Sequence, residues 1–100
     1  MNHFDAVIIG SGQAAPSLAV GLANRGQSVA LIEGDKLGGT CVNSGCTPTK
    51  TLRKSARVAH MVRRAADFGV STGAVTVDFP AAMARMRERV DTARRGLTAW

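Results

Sequence analysis

Two cysteines are the side chains whose type and spacing point most directly to chemistry in this sequence. Cys41 and Cys46 are the only cysteines among 100 residues, too few for a disulfide-stabilised scaffold. The pair alone is compatible with two buried thiols, half of a zinc site or a redox-active couple. We expect no metal, because the only histidines, His3 and His60, lack a ligand-like spacing to the cysteines.

The backbone between the cysteines decides whether they can bond to each other. In an ideal α-helix, residues five apart have Cα atoms roughly 8–9 Å apart, which is beyond disulfide reach. A bond therefore requires a distorted turn, and Gly45 supplies the backbone freedom for one. Lys50 follows Cys46 by one helical turn, so its charge can favour a thiolate or a reduced cofactor.

A glycine-rich motif precedes the cysteines. It consists of Gly10, Ser11, Gly12, Gln13, Ala14 and Ala15. Between a strand and a helix, this pattern is typical of a dinucleotide pyrophosphate site, in which Gly12 lets a phosphate approach the backbone. Glu33 follows Gly12 by 21 residues, near the separation at which an acid accepts hydrogen bonds from an adenosine ribose. The alternative is a glycine turn of another α/β fold with a surface glutamate.

The elements that must position these motifs follow from periodicity. Short apolar runs at residues 4–9 and 28–32 predict two strands buried on both faces. Small and apolar residues at helical spacing over 13–25 predict the helix between them, with Gly26 placed as a left-handed cap. The fold class is therefore α/β, opening with a right-handed parallel βαβ unit of Rossmann type.

The second half of the sequence predicts an antiparallel pair of helices. An apolar stripe from Leu52 to Ala66 indicates one helix ending near Gly69, and residues 70–77 are ambiguous, with extended character at 75–77. A second helix opens near Pro80, capped by Asp78. The arginines of this helix are expected on a solvated outer face. They are Arg85, Arg87, Arg89, Arg94 and Arg95.

Composition excludes several classes of protein. A chain of 100 residues holds at most one ordinary domain. No apolar run approaches the ~20 residues that cross a bilayer, and the N-terminus lacks a basic signal-like region, so we expect a cytoplasmic protein. The net charge of +6 suggests nucleic acid, but no aromatic interleaves with the arginines as base stacking requires, so we expect no such partner. The aromatics are Phe4, Phe68, Phe79 and Trp100.

Residues 38–50, GGTCVNSGCTPTK, resemble the redox-active disulfide motif of the class I pyridine nucleotide-disulfide oxidoreductases. These flavoenzymes include dihydrolipoamide dehydrogenase, glutathione reductase and mercuric reductase. The segments GSGQAAPSLA and GCTPTKTL look most similar to the mercuric reductase-like branch. The resemblance implies a non-covalent FAD. The cofactor-binding residues that it implies are Gly10, Gly12, Gln13, Ala14, Ala15, Glu33, Gly38, Gly39, Thr40, Cys41 and Lys50.

The resemblance also implies how electrons move. They pass from NAD(P)H through the flavin to a Cys41–Cys46 disulfide, with Cys46 on the flavin side and Cys41 exchanging with substrate. The substrate is a small-molecule disulfide or a metal ion. The physical requirements agree, since a flavin needs an oriented, dry pocket and a thiolate needs a nearby positive charge.

Family members run to several hundred residues, with an NAD(P)H-binding domain and a dimerisation domain that supplies a His–Glu pair to the partner's site. Neither His3 nor His60 matches that histidine. We therefore expect residues 1–100 to be the N-terminal part of an FAD-binding domain, with an incomplete doubly wound sheet, from a homodimeric enzyme. Alone, this part should fold marginally, bind FAD poorly and be inactive. The alternative is a small non-catalytic nucleotide-binding or thiol-switch module.

Overall fold

A small α/β unit followed by a helical hairpin makes up the protein. The computed structural model describes residues 1–99, and Trp100 lies outside the described residues. The elements in chain order are β1 (Ala6–Ile9), α1 (Ala14–Ala23), β2 (Val29–Ile32), α2 (Gly39–Asn43), α3 (Cys46–Arg63), a 3₁₀ helix (Ala65–Phe68) and α4 (Phe79–Thr98). None of the helices within residues 1–99 combines the length and apolar character that crossing a bilayer demands.

The two strands pair in parallel, with α1 crossing between them. Ala6 lies opposite Val29, and the register continues to the ends of both strands. Directly before this first pair of residues, the Asp5 carboxylate accepts hydrogen bonds from the backbone N–H and the hydroxyl of Ser28, both at 2.8 Å. Gly26 has a φ of 81°, the left-handed conformation predicted for it. The predicted parallel βαβ unit is therefore present.

The faces of the sheet are more open than the sequence predicts. Burial alternates along β1, with Ala6 and Ile8 partly covered, whereas Val7 is 56% exposed and Ile9 is 86% exposed. Ile32 at the end of β2 is 53% exposed. The prediction of strands buried on both faces is wrong for residues 1–99, because the sheet in this part of the chain has only two strands and a helix on one side.

The helices α3 and α4 form the predicted antiparallel hairpin. Arg85, near the start of α4, donates a hydrogen bond to the backbone carbonyl of Thr51 in α3 at 3.2 Å. Towards its end, α4 instead reaches Asn43, which precedes α3, so the two helices run in opposite directions. The Asp78 carboxylate accepts from the Ala81 N–H at 3.0 Å, the predicted cap of α4.

The segments before and after α3 contain little regular structure. Residues 33–38, directly after β2, form no helix or strand, and residues 39–43 then form the short helix α2. Residues 70–78 contain neither helix nor strand, so the extended character expected at 75–77 does not include strand pairing. The helical segment predicted to end near Gly69 does so, since the 3₁₀ helix closes at Gly69 with a φ of 73°.

The packed interior is small and lies around α2. Among residues 1–99, the buried apolar side chains are those of Ala15, Val42 and Val90, which belong to α1, α2 and α4. The radius of gyration is 20.0 Å, against about 13 Å for a compact domain of this length. The hairpin therefore projects from the βαβ unit, and the cysteine-bearing helix lies where the two parts meet.

Candidate functional site

Cys41 and Cys46 form a disulfide across the break between two helices. Their Cα atoms lie 4.7 Å apart, because α2 ends before Cys46 begins α3, and Ser44 and Gly45 leave the helical path. A Cβ on Gly45 would lie 3.0 Å from the carbonyl oxygen of Thr40 and 3.1 Å from the Cα of Cys41. The predicted distorted turn, with a glycine at position 45, is confirmed.

The glycine-rich motif forms an open turn between β1 and α1. Gly10 has a φ of 92°, and apart from adjacent residues no atom of residues 1–99 lies within 4 Å of the Cβ that Gly10 or Gly12 lacks. Gln13 and Ala14 are exposed at the start of α1, and Ala15 is buried beneath them. No side chain caps this helix and no acidic residue lies in its first turn. Such an end presents backbone N–H groups and a partial positive charge to an anion.

The start of α2 packs directly against this turn. Gly38 and Gly39 have φ values of 103° and 65°, a left-handed conformation that favours glycine. A Cβ on Gly39 would lie 2.9 Å from the Cα of Gly12. The two glycine segments therefore touch backbone to backbone, which places the helix that carries Cys41 beside the glycine-rich turn.

A buried hydroxyl joins the turn to Glu33 and to α2. Ser11 is 2% exposed; its hydroxyl donates to Oε2 of Glu33 at 2.5 Å, and its backbone N–H donates to the same oxygen at 2.9 Å. The N–H of Gly38 donates to the Ser11 hydroxyl at 3.0 Å. Hydrogen bonds to the Glu33 carboxylate lower its pKa. The largest effect comes from the Ser11 hydroxyl and the next from the backbone N–H of Asp35. Sequence reasoning missed Ser11, although a hydroxyl residue between two glycines was a visible signal.

One cavity brings several predicted cofactor residues together. Its volume is about 340 Å³, and Glu33, Gly39 and Thr40 all line it. Lys50 lies elsewhere, exposed on α3, where it shares a smaller surface cavity with Arg53 and other cations of that helix. The structure thus joins the acid at the end of β2 to the start of α2, and it does not bring Lys50 to them. The cofactor roles of these residues remain predictions.

Arg94 makes a contact that sequence reasoning missed. Its Nε and Nη2 both donate to Oδ1 of Asn43, at 2.9 Å and 2.7 Å. The side chain of Arg94 is 32% exposed, so the prediction that this arginine lies on a solvated face is wrong. Its partner is 51 residues away in the sequence, and no periodicity on α4 reveals such a pairing.

A family model describes nearly the whole chain. Residues 4–99 match the model of the pyridine nucleotide-disulphide oxidoreductases. The chain belongs to this family. Its members are FAD-dependent oxidoreductases that use NAD(P)H as co-substrate. The match includes the glycine-rich turn, Glu33 and both cysteines of the disulfide.

Two curated relatives illustrate the range of the family. The chain is 41% identical over 92 residues to a dihydrolipoyl dehydrogenase of Bacillus subtilis, covering 90% of this chain and 20% of that protein. It is 41% identical over 88 residues to a mercuric reductase of Acidithiobacillus ferrooxidans, covering 87% of this chain and 16% of that protein. The chain therefore spans about a fifth of the length of the family members it matches.

A solved structure of similar fold is the Cu(II) complex of the HOCl-induced flavoprotein disulfide reductase RclA from Escherichia coli. The TM-score is 0.71 at 40% identity, over 98% of this chain and 19% of that one. A mutant of the same protein gives a TM-score of 0.76 at 39% identity. This family chain therefore shares the fold of one part of a flavoprotein disulfide reductase.

Proposed function

We propose that residues 1–100 are the N-terminal part of the FAD-binding domain of an NAD(P)H-dependent disulfide reductase, with Cys41–Cys46 as its redox-active disulfide. The observation that carries this proposal is the placement of α2. Its first residue, Gly39, packs against Gly12 of the glycine-rich turn, and the same helix contains Cys41 of the disulfide. The glycine-rich turn and the disulfide thereby share one short element, which supports a nucleotide site beside a redox pair.

The residues of the turn are suited to FAD. The open space over Gly10 and Gly12 and the uncapped start of α1 would hold the pyrophosphate, since phosphates bind at helix N-termini. Glu33, kept ionised by its hydrogen bonds, would accept from the adenosine ribose. The isoalloxazine is proposed to lie beside Gly39 and Thr40. FAD, when bound, supplies two-electron exchange between a nicotinamide and a disulfide.

The two cysteines have different proposed roles in the reaction. Reduction of the disulfide with two electrons and two protons gives two thiols. The Cys41 thiolate then attacks one sulfur of a substrate disulfide, displaces the other as a thiol and forms a mixed disulfide. Cys46, the flavin-side thiolate, attacks the Cys41 sulfur, restores Cys41–Cys46 and releases the second substrate thiol. Lys50, one turn into α3, is proposed to favour the Cys46 thiolate.

The substrate and the assembly are proposed from the family. Names of relatives include dihydrolipoyl dehydrogenase and mercuric reductase, which supports a small-molecule disulfide or a metal ion as the electron acceptor. We propose that the intact protein is a cytoplasmic homodimer, and that its NAD(P)H-binding and dimerisation parts lie outside residues 1–100. The share of each relative that this chain spans, about a fifth, supports this division.

Replacement of Cys46 tests the proposed function. In the intact polypeptide that contains these residues, Cys46→Ser should keep stoichiometric FAD, because the glycine-rich turn is unchanged. NAD(P)H-dependent release of thiol from a chromogenic aromatic disulfide should be almost abolished, because loss of a covalent nucleophile costs several orders of magnitude in rate. Ser71→Ala, an exposed change outside the cysteine loop and the cavity, is the control. Retained thiol release in Cys46→Ser would refute the role of the pair.

A further inference from the structure

The short helix α2 has few means of holding its own shape. It contains five residues and has no side-chain cap at its start. Isolated helices of fewer than about 12 residues are marginal in water, because nucleation is costly. Its conformation must therefore come from contacts with other elements. Since Cys41 lies in α2, those contacts also set the distance between Cys41 and Cys46.

Asn43, the last residue of α2, bonds back to the start of the helix. Its Nδ2 donates to the carbonyl oxygen of Leu37 at 3.0 Å and to that of Gly39 at 2.9 Å. Its Oδ1 accepts the two hydrogen bonds from Arg94. A charged, planar guanidinium that places two donors on one oxygen forms a strong and directional contact. The side chain of Asn43 therefore couples the backbone of α2 to α4.

The second cysteine, Cys46, is connected to α4 as well, through the packing of α3. Cys46 begins α3, and α3 packs lengthwise against α4. Arg94 therefore links α2, which carries Cys41, to α4. Because α3 also packs against α4, the elements of both cysteines are attached to the same helix. The separation of the two Cα atoms, 4.7 Å, lies inside the range that a disulfide needs.

We propose that Arg94 is a positioning residue for the Cys41–Cys46 couple and acts through Asn43. The inference rests on the proposed function, because it assigns Arg94 to the redox pair of that reaction. The contact favours the geometry in which the cysteines bond. By linkage, it raises the equilibrium constant for disulfide formation by the same factor by which the disulfide strengthens the contact.

The equilibrium constant for this couple provides the test. Each variant is made in the intact polypeptide that contains these residues and is equilibrated with reduced and oxidised glutathione. The samples are quenched with acid, alkylated and digested, and the peptides that contain Cys41 and Cys46 are quantified by mass spectrometry. Two thiols of the chain and one glutathione disulfide give the Cys41–Cys46 disulfide and two glutathione thiols. Arg94→Met should lower the equilibrium constant about tenfold, the scale of a hydrogen bond to a charged group. Arg95→Met is the control, because among residues 1–99 the Arg95 side chain bonds only within its own helix, to Thr92 at 3.4 Å, and its constant should stay within about twofold.

A second background shows whether the effect passes through Asn43. If it does, Arg94→Met should change the equilibrium constant by less than about twofold in an Asn43→Ala chain, as for groups that act as one unit. An equal loss in both backgrounds would overturn the proposal, and so would an unchanged constant in the single variant. If circular dichroism shows that Arg94→Met has lost its helices, Arg94→Lys compared with Arg95→Lys decides the question.

Arg94→Lys keeps the charge but not the two-donor fork, so its constant should fall about threefold below that of Arg95→Lys. Equal constants for the two lysine variants would overturn the proposal. Failure of the proposed function is a separate result, because it is retained thiol release by Cys46→Ser in the intact polypeptide. That measurement does not depend on the glutathione equilibrium of the Arg94 variants.

Discussion

The Ser11 hydroxyl and the Ser11 backbone N–H both donate to one oxygen of Glu33, at 2.5 Å and 2.9 Å. The same hydroxyl accepts from the N–H of Gly38. The carboxylate proposed to bind a ribose is therefore oriented by the turn proposed to bind a pyrophosphate. Because Gly38 leads into α2, a single buried side chain, that of Ser11, connects the proposed nucleotide site to the helix that contains Cys41.

Ser11→Ala should destabilise the chain. It leaves the Gly38 N–H without its acceptor and removes the hydroxyl from Glu33, and an unsatisfied buried group costs about 1–3 kcal/mol. Urea unfolding followed by circular dichroism measures the loss in the free energy of unfolding. Ser17→Ala, an exposed change on α1, should alter that free energy by less than about 0.5 kcal/mol. Equal free energies for the two variants would show that the Ser11 bonds contribute nothing.

The hydrogen bonds at Glu33 also predict a pH dependence. They hold the pKa of Glu33 below its usual value of 4.5, so their contribution to stability is present above that value. It is lost as the pH falls through the lower pKa of the folded state. Asp5 behaves in the same sense, because the N–H and hydroxyl of Ser28 lower its pKa.

The urea midpoint should decrease between pH 6 and pH 3, two values that lie above and below the ordinary pKa of a carboxyl group. This decrease should be smaller in Glu33→Gln than in the unmodified chain. Glu88→Gln, an exposed change on α4, is the control and should keep the full decrease. Direct titration of Glu33 by NMR should show its pKa rising in Ser11→Ala. A pKa that is the same in both chains would contradict the assigned cause.

Local patterns in the sequence predicted the elements, whereas the contacts between distant elements needed the structure. The strands and the helix of the βαβ unit follow from the spacing of apolar residues. The turn at Gly45 follows from the short Cα–Cα distance that a disulfide requires. The Arg94–Asn43 contact spans 51 residues, and one arginine in a row of similar ones carries no local signal. The exposure of Ile9 was also unpredictable, because an apolar strand reveals its preference for burial but not which layers cover it.

Gly45→Ala should impair closure of the disulfide. The added Cβ would lie 3.0 Å from the Thr40 carbonyl oxygen, so the turn that brings Cys41 to Cys46 must shift. Overpacking of this kind costs about 1–3 kcal/mol, so the glutathione equilibrium constant should fall by roughly 5-fold to 150-fold. Gly73→Ala is the control, since no other part of the described chain lies within 4 Å of its Cβ position. A constant that is equal in the two variants would show that the turn accommodates a side chain.

Gly39→Ala should measure the close approach of α2 to the glycine-rich turn. The change imposes a left-handed conformation on alanine, at a φ of 65°, and places a Cβ 2.9 Å from the Cα of Gly12. Gly69→Ala imposes a similar conformation, at a φ of 73°, but its Cβ would meet no other described residue within 4 Å. The control should lose about 1–2 kcal/mol of unfolding free energy, and Gly39→Ala should lose about 1–3 kcal/mol more. Equal losses in urea unfolding would contradict backbone contact between α2 and the turn.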